Sequence, residues 1–163
     1  MISSRLLLIP FLFQVVFMGV DELYFHHKRQ LPRWERLGHP LDTFIVLLCF
    51  GWIVWVVPST TTILIYIGLS LFSCLFVTKD EWVHYKYCSA GEQWLHAVQF
   101  VFHTLVLLSA GLLWPALHQL PSTWIQYEGF ERMFLLGNIG LTALFGAYQL
   151  IYWNLLWRPA PTR

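Results

Sequence analysis

Thr78 to His103 reads TKDEWVHYKYCSAGEQWLHAVQFVFH, and this stretch decides the fold. It leaves one long apolar run, crosses a short polar segment and enters the next apolar run. On the way it sets Asp80, Glu81, His84, Glu92, His96 and His103 at helical spacings. Glu81 and His84 are three apart and share a face of a continuing helix. Glu92, His96, Gln99 and His103 fall at i, i+4, i+7 and i+11, one stripe down a single helix. That stripe descends into what should be hydrocarbon, where ionisable groups are costly and usually serve function. It reads as half of a metal site.

The surrounding chain supports a membrane setting. Of 163 residues, 57% are hydrophobic and 12% charged, and the mean hydropathy is +0.57. A typical soluble domain is roughly 25% charged. The net charge of +1 and the lack of a basic tail give no support to a nucleic-acid partner. Cys49 and Cys74 sit in apolar runs and Cys88 in a polar loop, so no disulfide is expected.

Outward from the central stretch, the apolar region 43–78 would reach about 50 Å as one helix, against a hydrocarbon core of ~30 Å. Pro58-Ser59-Thr60 divides it. Residues 2–20 are read as a retained membrane helix, since the n-region is weakly basic and no small-residue cleavage site follows. Pro10 is a candidate kink in it. Residues 21–42 read as a polar, basic loop, and 115–131 as a loop with Trp124 and Tyr127 suited to an interface. The expected fold is therefore an all-α integral membrane protein. It is a single domain over 1–163, a bundle of five hydrophobic helices at about 2–25, 43–57, 61–84, 92–113 and 132–157.

Lys28, Arg29, Arg33, Arg36, Lys79, Lys86, Arg158 and Arg163 fall on one side of such a bundle, and only Arg5 and Arg132 on the other. The positive-inside rule then puts the N-terminus outside and the C-terminus in the cytoplasm of a cell or inner membrane. The same assignment carries seven of the nine acidic residues to the cytoplasmic end, together with His26, His27, His39, His84 and His96.

Glu22 and His26 are four apart at the end of the first helix. Glu35 and His39 repeat that spacing, with Asp42 three further on. Carboxylate oxygens with imidazoles and no thiolate set suit iron first, then zinc or manganese. The expected ligands are Glu22, His26, Glu81, His84, Glu92 and His96, with His39, Asp42 and Asp80 in reserve. That surplus over the needs of one ion favours two divalent ions. Glu81-Trp82-Val83-His84 resembles the Glu-x-x-His motif of ferritin-like di-iron carboxylate proteins. The resemblance covers four residues, and it implies a type of chemistry rather than an ancestry.

Plainer roles compete. Ser89 with Glu92 and Thr78 with Glu81 fit capping boxes, and Asp42 could cap the second helix. Glu35 could pair with Arg33 or Arg36. His103 lies about 10 Å deeper than His96, a relay or a packing residue. His27 reads as solvated or lipid-facing, and His118 as an exposed loop residue. Polar side chains on other helices, Gln14, Tyr66, Ser70, Ser73, Asn138, Thr142, Gln149 and Tyr152, suit a polar interior.

The function expected is a membrane metalloenzyme, its centre at the cytoplasmic face, acting on a lipid or other apolar substrate. Iron would imply oxidation or hydroxylation, and zinc hydrolysis. No catalytic residue is assigned. The alternative is a metal-ion or proton transporter or sensor using the same cluster, and haem ligation by His96 and His103 ranks third. The bilayer is the expected partner, and a homo-oligomer is compatible with five helices.

Overall fold

The computed structural model describes residues 1–157; Arg158 and Arg163, two of the basic residues in the topology count, lie outside the described residues. Five helices make up the chain: α1 (Ser4–Arg29), α2 (Arg33–Trp55), α3 (Thr60–Tyr87), α4 (Ala90–Leu117) and α5 (Glu131–Leu156). All five are long and apolar enough to cross a membrane. Two short segments, Ile2–Ser3 and Ile125–Gln126, pair as parallel strands at one end.

α4 is the central helix and packs on each of the other four. α2 lies between α3 and α5, and α1 rests on α4. Close approach of α2 and α5 depends on Gly146, where a Cβ would come within 2.9 Å of Thr43 Cγ2. The dense core occupies the end of the bundle away from the ionisable stretch. Cys49, Phe50, Ile53, Ala110, Leu113, Trp114 and Leu135 are buried there, and Trp114 Nε1–H donates to the Val56 carbonyl at 2.7 Å. At the same end, Arg5 pairs with Glu128 at 2.6 Å and ties the N-terminus to the loop before α5.

The polar segment 21–42 is helical, where a loop was expected. α1 runs on to Arg29, Gln30 turns the chain with φ +67°, and α2 starts at Arg33 after Pro32. Several of its charged groups pair within the bundle, so its polarity did not signal a loop. Arg29 bonds Glu35 at 2.6 Å and Glu92 at 2.9 Å. Asp42 accordingly sits inside α2 and caps nothing. Pro40 also lies inside α2 and cannot donate to the Arg36 carbonyl one turn back. Asn154 Nδ2–H fills that place at 2.9 Å.

Pro10 does not kink α1. It stands in the first turn of the α-helical part, Ile9–Val20, where its missing N–H costs nothing. Further along, Asp21–His26 winds as a π-helix, and so does Tyr152–Leu156 in α5. Such turns are rare and concentrate at functional sites. Here the first brings Asp21, Glu22 and His26 together onto the buried side. The two π segments are joined, Trp153 Nε1–H donating to Glu22 Oε1.

Ser89 caps α4 by accepting from the Glu92 N–H at 3.4 Å, but the Glu92 carboxylate goes to Arg29 instead of returning to the cap. Thr78 caps nothing at Glu81; its hydroxyl donates to the Leu75 carbonyl at 2.7 Å. His118, expected in an exposed loop, is partly buried at the end of α4, with Nε2 3.0 Å from the Ile53 carbonyl.

Candidate metal centre

Three histidines stand beside carboxylates. His26 Nδ1 lies 3.1 Å from Glu22 Oε2, and its Nε2 lies 3.4 Å from Asp21 Oδ2. His84 Nδ1 lies 3.1 Å from Glu81 Oε1 and 3.2 Å from His96 Nδ1. His39 Nδ1 is 4.0 Å from Asp42 Oδ2. In all three the Nε2 atom is buried and has no hydrogen-bond partner. A carboxylate on one imidazole nitrogen fixes tautomer and ring orientation and makes the other nitrogen a better ligand. Two carboxylate oxygens, Asp42 Oδ1 and Asp80 Oδ1, are buried and unpartnered in the same region. Unpaired buried polar atoms are uncommon, and five of them fall in this one region.

Ligand atoms gather in overlapping groups, each within 4.8 Å. Asp21, His26, Glu92 and His96 form one, and His39, Asp42 and Asp80 another. His26, Glu35 and His39 link the two, and the His26 and His39 rings stack with centroids 4.9 Å apart. His84, Cys88 and His96 make a fourth group, in which the two histidine Nδ1 atoms are 3.2 Å apart. Burial pushes the Cys88 thiol up; Arg29 pulls it down, while Glu92 and Glu35 add to the rise. His96 Nε2 faces both oxygens of Asp21, at 3.1 and 3.2 Å.

Asp21, Glu22, Glu35, Asp80 and Glu92 are buried, and Asp42 is largely so. Among the described residues, Arg29 bonds Glu35 and Glu92, and Lys79 bonds Asp42 and Asp80 at 2.6 and 2.9 Å. Asp21 and Glu22 instead face imidazoles, His26 lying 3.4 Å from Asp21 and 3.1 Å from Glu22, and His96 3.1 Å from Asp21. Gly38 makes room for the second group, since a Cβ there would lie 3.0 Å from Asp80 Oδ2 and from Lys79 Cε.

No protein-family model, curated protein or solved structure matches this chain. Its chemistry is therefore read from its own residues.

Of the nine residues expected as ligands, seven enter the groups: His26, His39, Asp42, Asp80, His84, Glu92 and His96. Glu22 and Glu81 stand outside them and bond the Nδ1 atoms of two members, Glu81 from a half-exposed position. The Glu-x-x-His pair thus aligns a histidine and does not act as two adjacent ligands. Asp21 is the group member that spacing did not pick out. It is five residues from His26, a separation that an α-helix points apart and the π segment brings together. His103 belongs to no group; its Nε2 is 3.0 Å from the Ser73 hydroxyl.

The groups line one end of a cavity of about 480 Å³ to which all five helices contribute. Asp21, His26, His39, Asp80, His84 and His96 form its polar wall. Val15, Val46, Phe50, Phe100 and Val106 make the remainder largely apolar. Of the polar residues expected in the interior, Gln14, Asn138, Thr142 and Gln149 line it, and Gln149 accepts from the Thr43 hydroxyl at 2.8 Å. Tyr66 does not, and instead donates to the Leu107 carbonyl at 2.6 Å. That volume is in the range of small-molecule sites, about 300–1,000 Å³.

Proposed function

We propose that this chain is a membrane-embedded metalloenzyme whose buried histidines and carboxylates hold two divalent ions at one end of an apolar cavity. The observation that carries the reading is the set of buried, unpartnered Nε2 atoms on His26, His39 and His84, two of them with a carboxylate at Nδ1. Asp21, His26, Glu92 and His96 would hold one ion, with His84 alongside. His39, Asp42 and Asp80 would hold the other, after Lys79 moves aside. Oxygen and imidazole donors without a thiolate set favour iron, then zinc or manganese. Bound there, iron would supply oxidation or hydroxylation, and zinc would supply hydrolysis.

The residues around the groups have definable tasks. Glu22 and Glu81 keep the imidazole rings of His26 and His84 turned so that Nε2 faces inward. Gln99 Nε2–H donates to the Phe17 carbonyl at 3.1 Å and to Asp21 Oδ2 at 3.4 Å, steadying that carboxylate. The apolar wall excludes water and accepts a hydrocarbon substrate. An ion path through the bundle is the weaker reading, because beyond His103 the cavity runs into Phe11, Phe50 and Val106. The basic-residue bias supports a centre facing the cytoplasm.

Metal analysis of the purified chain tests the reading. Two ions per chain are expected, with loss of at least one in His26→Ala and in His39→Ala variants that still elute as folded protein. A metal-free chain after preparation in each of iron, zinc and manganese would overturn it.

A further inference from the structure

The apolar half of the cavity has an open side that the metal centre does not use. α1 and α5 both line it, yet α1 packs on α4 and α5 on α2, with little contact between the two. They meet at the ends. Phe11 and Phe134 stand edge to face at 5.1 Å near the dense core. At the other end Trp153 bonds Glu22, and His27 lies against the Tyr152 ring at 5.2 Å.

Between these two closures the wall is thin. Val15 and Leu23 of α1 and Leu141 of α5 line the cavity and are also 47%, 72% and 51% exposed, so cavity and outer surface join there. A Cβ at Gly19, in the middle of this slot, would meet nothing within 4 Å. From Glu22 to Phe11 is eleven residues, about 16 Å of helix at 1.5 Å per residue. That is roughly half of the ~30 Å hydrocarbon core, the depth of one leaflet. At the polar end of the slot, exposed His27 stands beside Tyr148 and Tyr152, its Nε2 being 3.5 Å from the Tyr148 hydroxyl, and exposed Lys28 follows it, its Nζ 5.3 Å from the Tyr24 ring. These are donors placed for a phosphate.

We propose that the slot between α1 and α5 admits one acyl chain of a membrane phospholipid sideways from the bilayer. The phosphate rests at His27 and Lys28, and the second chain stays outside. The chain end points to Phe11 and Phe50, so the carbons nearest the headgroup lie against Asp21 and His96. This names the substrate class of the proposed metalloenzyme and rests on that reading for its chemistry; binding of the lipid does not depend on it.

The full chain, reconstituted in vesicles with phosphatidylcholine carrying a diazirine at the end of one acyl chain, is irradiated and the labelled residues are mapped by mass spectrometry. Label is expected at the cavity floor, on Phe11, Phe50 or Val106. It should fall to the unirradiated background in Gly19→Trp and in Leu141→Trp, and persist in Leu64→Trp, a change on the outer face of α3. Label confined to outward residues such as Leu64 and Leu71 would overturn the proposal, as would floor labelling unchanged in both slot variants. Metal content measured on the same samples separates the two ideas. Floor label on a metal-free chain sinks the metal centre and leaves the lipid slot, whereas bound metal with outward label alone does the reverse.

Discussion

Glu22 and His26 show how much one side chain's partner decides. A carboxylate that binds an ion directly and one that holds a ligand's far nitrogen are equally acidic and equally spaced in a sequence, but their removal has different effects. With Glu22 on Nδ1, a Glu22→Ala chain should still bind metal, about 10–100-fold more weakly. His26→Ala should lose an ion outright. Competition with a chromophoric chelator distinguishes these, and equal affinities in Glu22→Ala and the parent chain would contradict the assigned role. Arg29 supports a second residue-scale prediction. Its removal would strand Glu35 and Glu92, both buried, and breaking such a pair costs about 3–5 kcal/mol. Arg29→Ala should therefore melt well below the parent in detergent. Arg29→Lys should rescue it only in part, because an ammonium cannot reproduce the fork that reaches two carboxylates.

At the scale of elements, the sequence carried the helices better than their ends. Apolar runs long enough to span a bilayer announce themselves, and five were legible. The segment 21–42 was not, because some of its charges pair across the bundle with partners up to 63 residues away, as Arg29 does with Glu92. Helical spacing found most members of the candidate groups, and His84, Glu92 and His96 do sit on regular α-helical turns. It missed Asp21 because a π segment changes which residues share a face, and nothing in DELYFH advertises one. It also gave no hint that Trp153, from the far end of the chain, would reach Glu22. The missing backbone N–H at Pro40 makes its own prediction. Asn154→Ala would leave the Arg36 carbonyl without its donor, at a cost of about 1–3 kcal/mol where it is buried. Adding Pro40→Ala to that variant restores a backbone N–H and should recover part of the loss in thermal melts.

Taken whole, the molecule separates its tasks along the bundle axis. Close-packed residues around Trp114 and Leu113 hold one end, and ionisable residues with a cavity occupy the other. If ions bind the folded chain alone, they stabilise it by mass action, about 2.7 kcal/mol at a free concentration one hundred times Kd. For a chain of this length each kcal/mol moves Tm by roughly 2–4 °C. Chelation should thus lower Tm by several degrees and re-addition of metal should restore it. A melting curve indifferent to chelator would count against any ion at this end.

Lys79 has a consequence for how such a protein is made. Its ammonium already rests on Asp42 and Asp80, so a newly synthesised chain need not carry those two carboxylates bare into the bilayer. Loading that pocket then becomes an exchange, one resident cation leaving as another arrives, and the swing of a single lysine arm can set its pace.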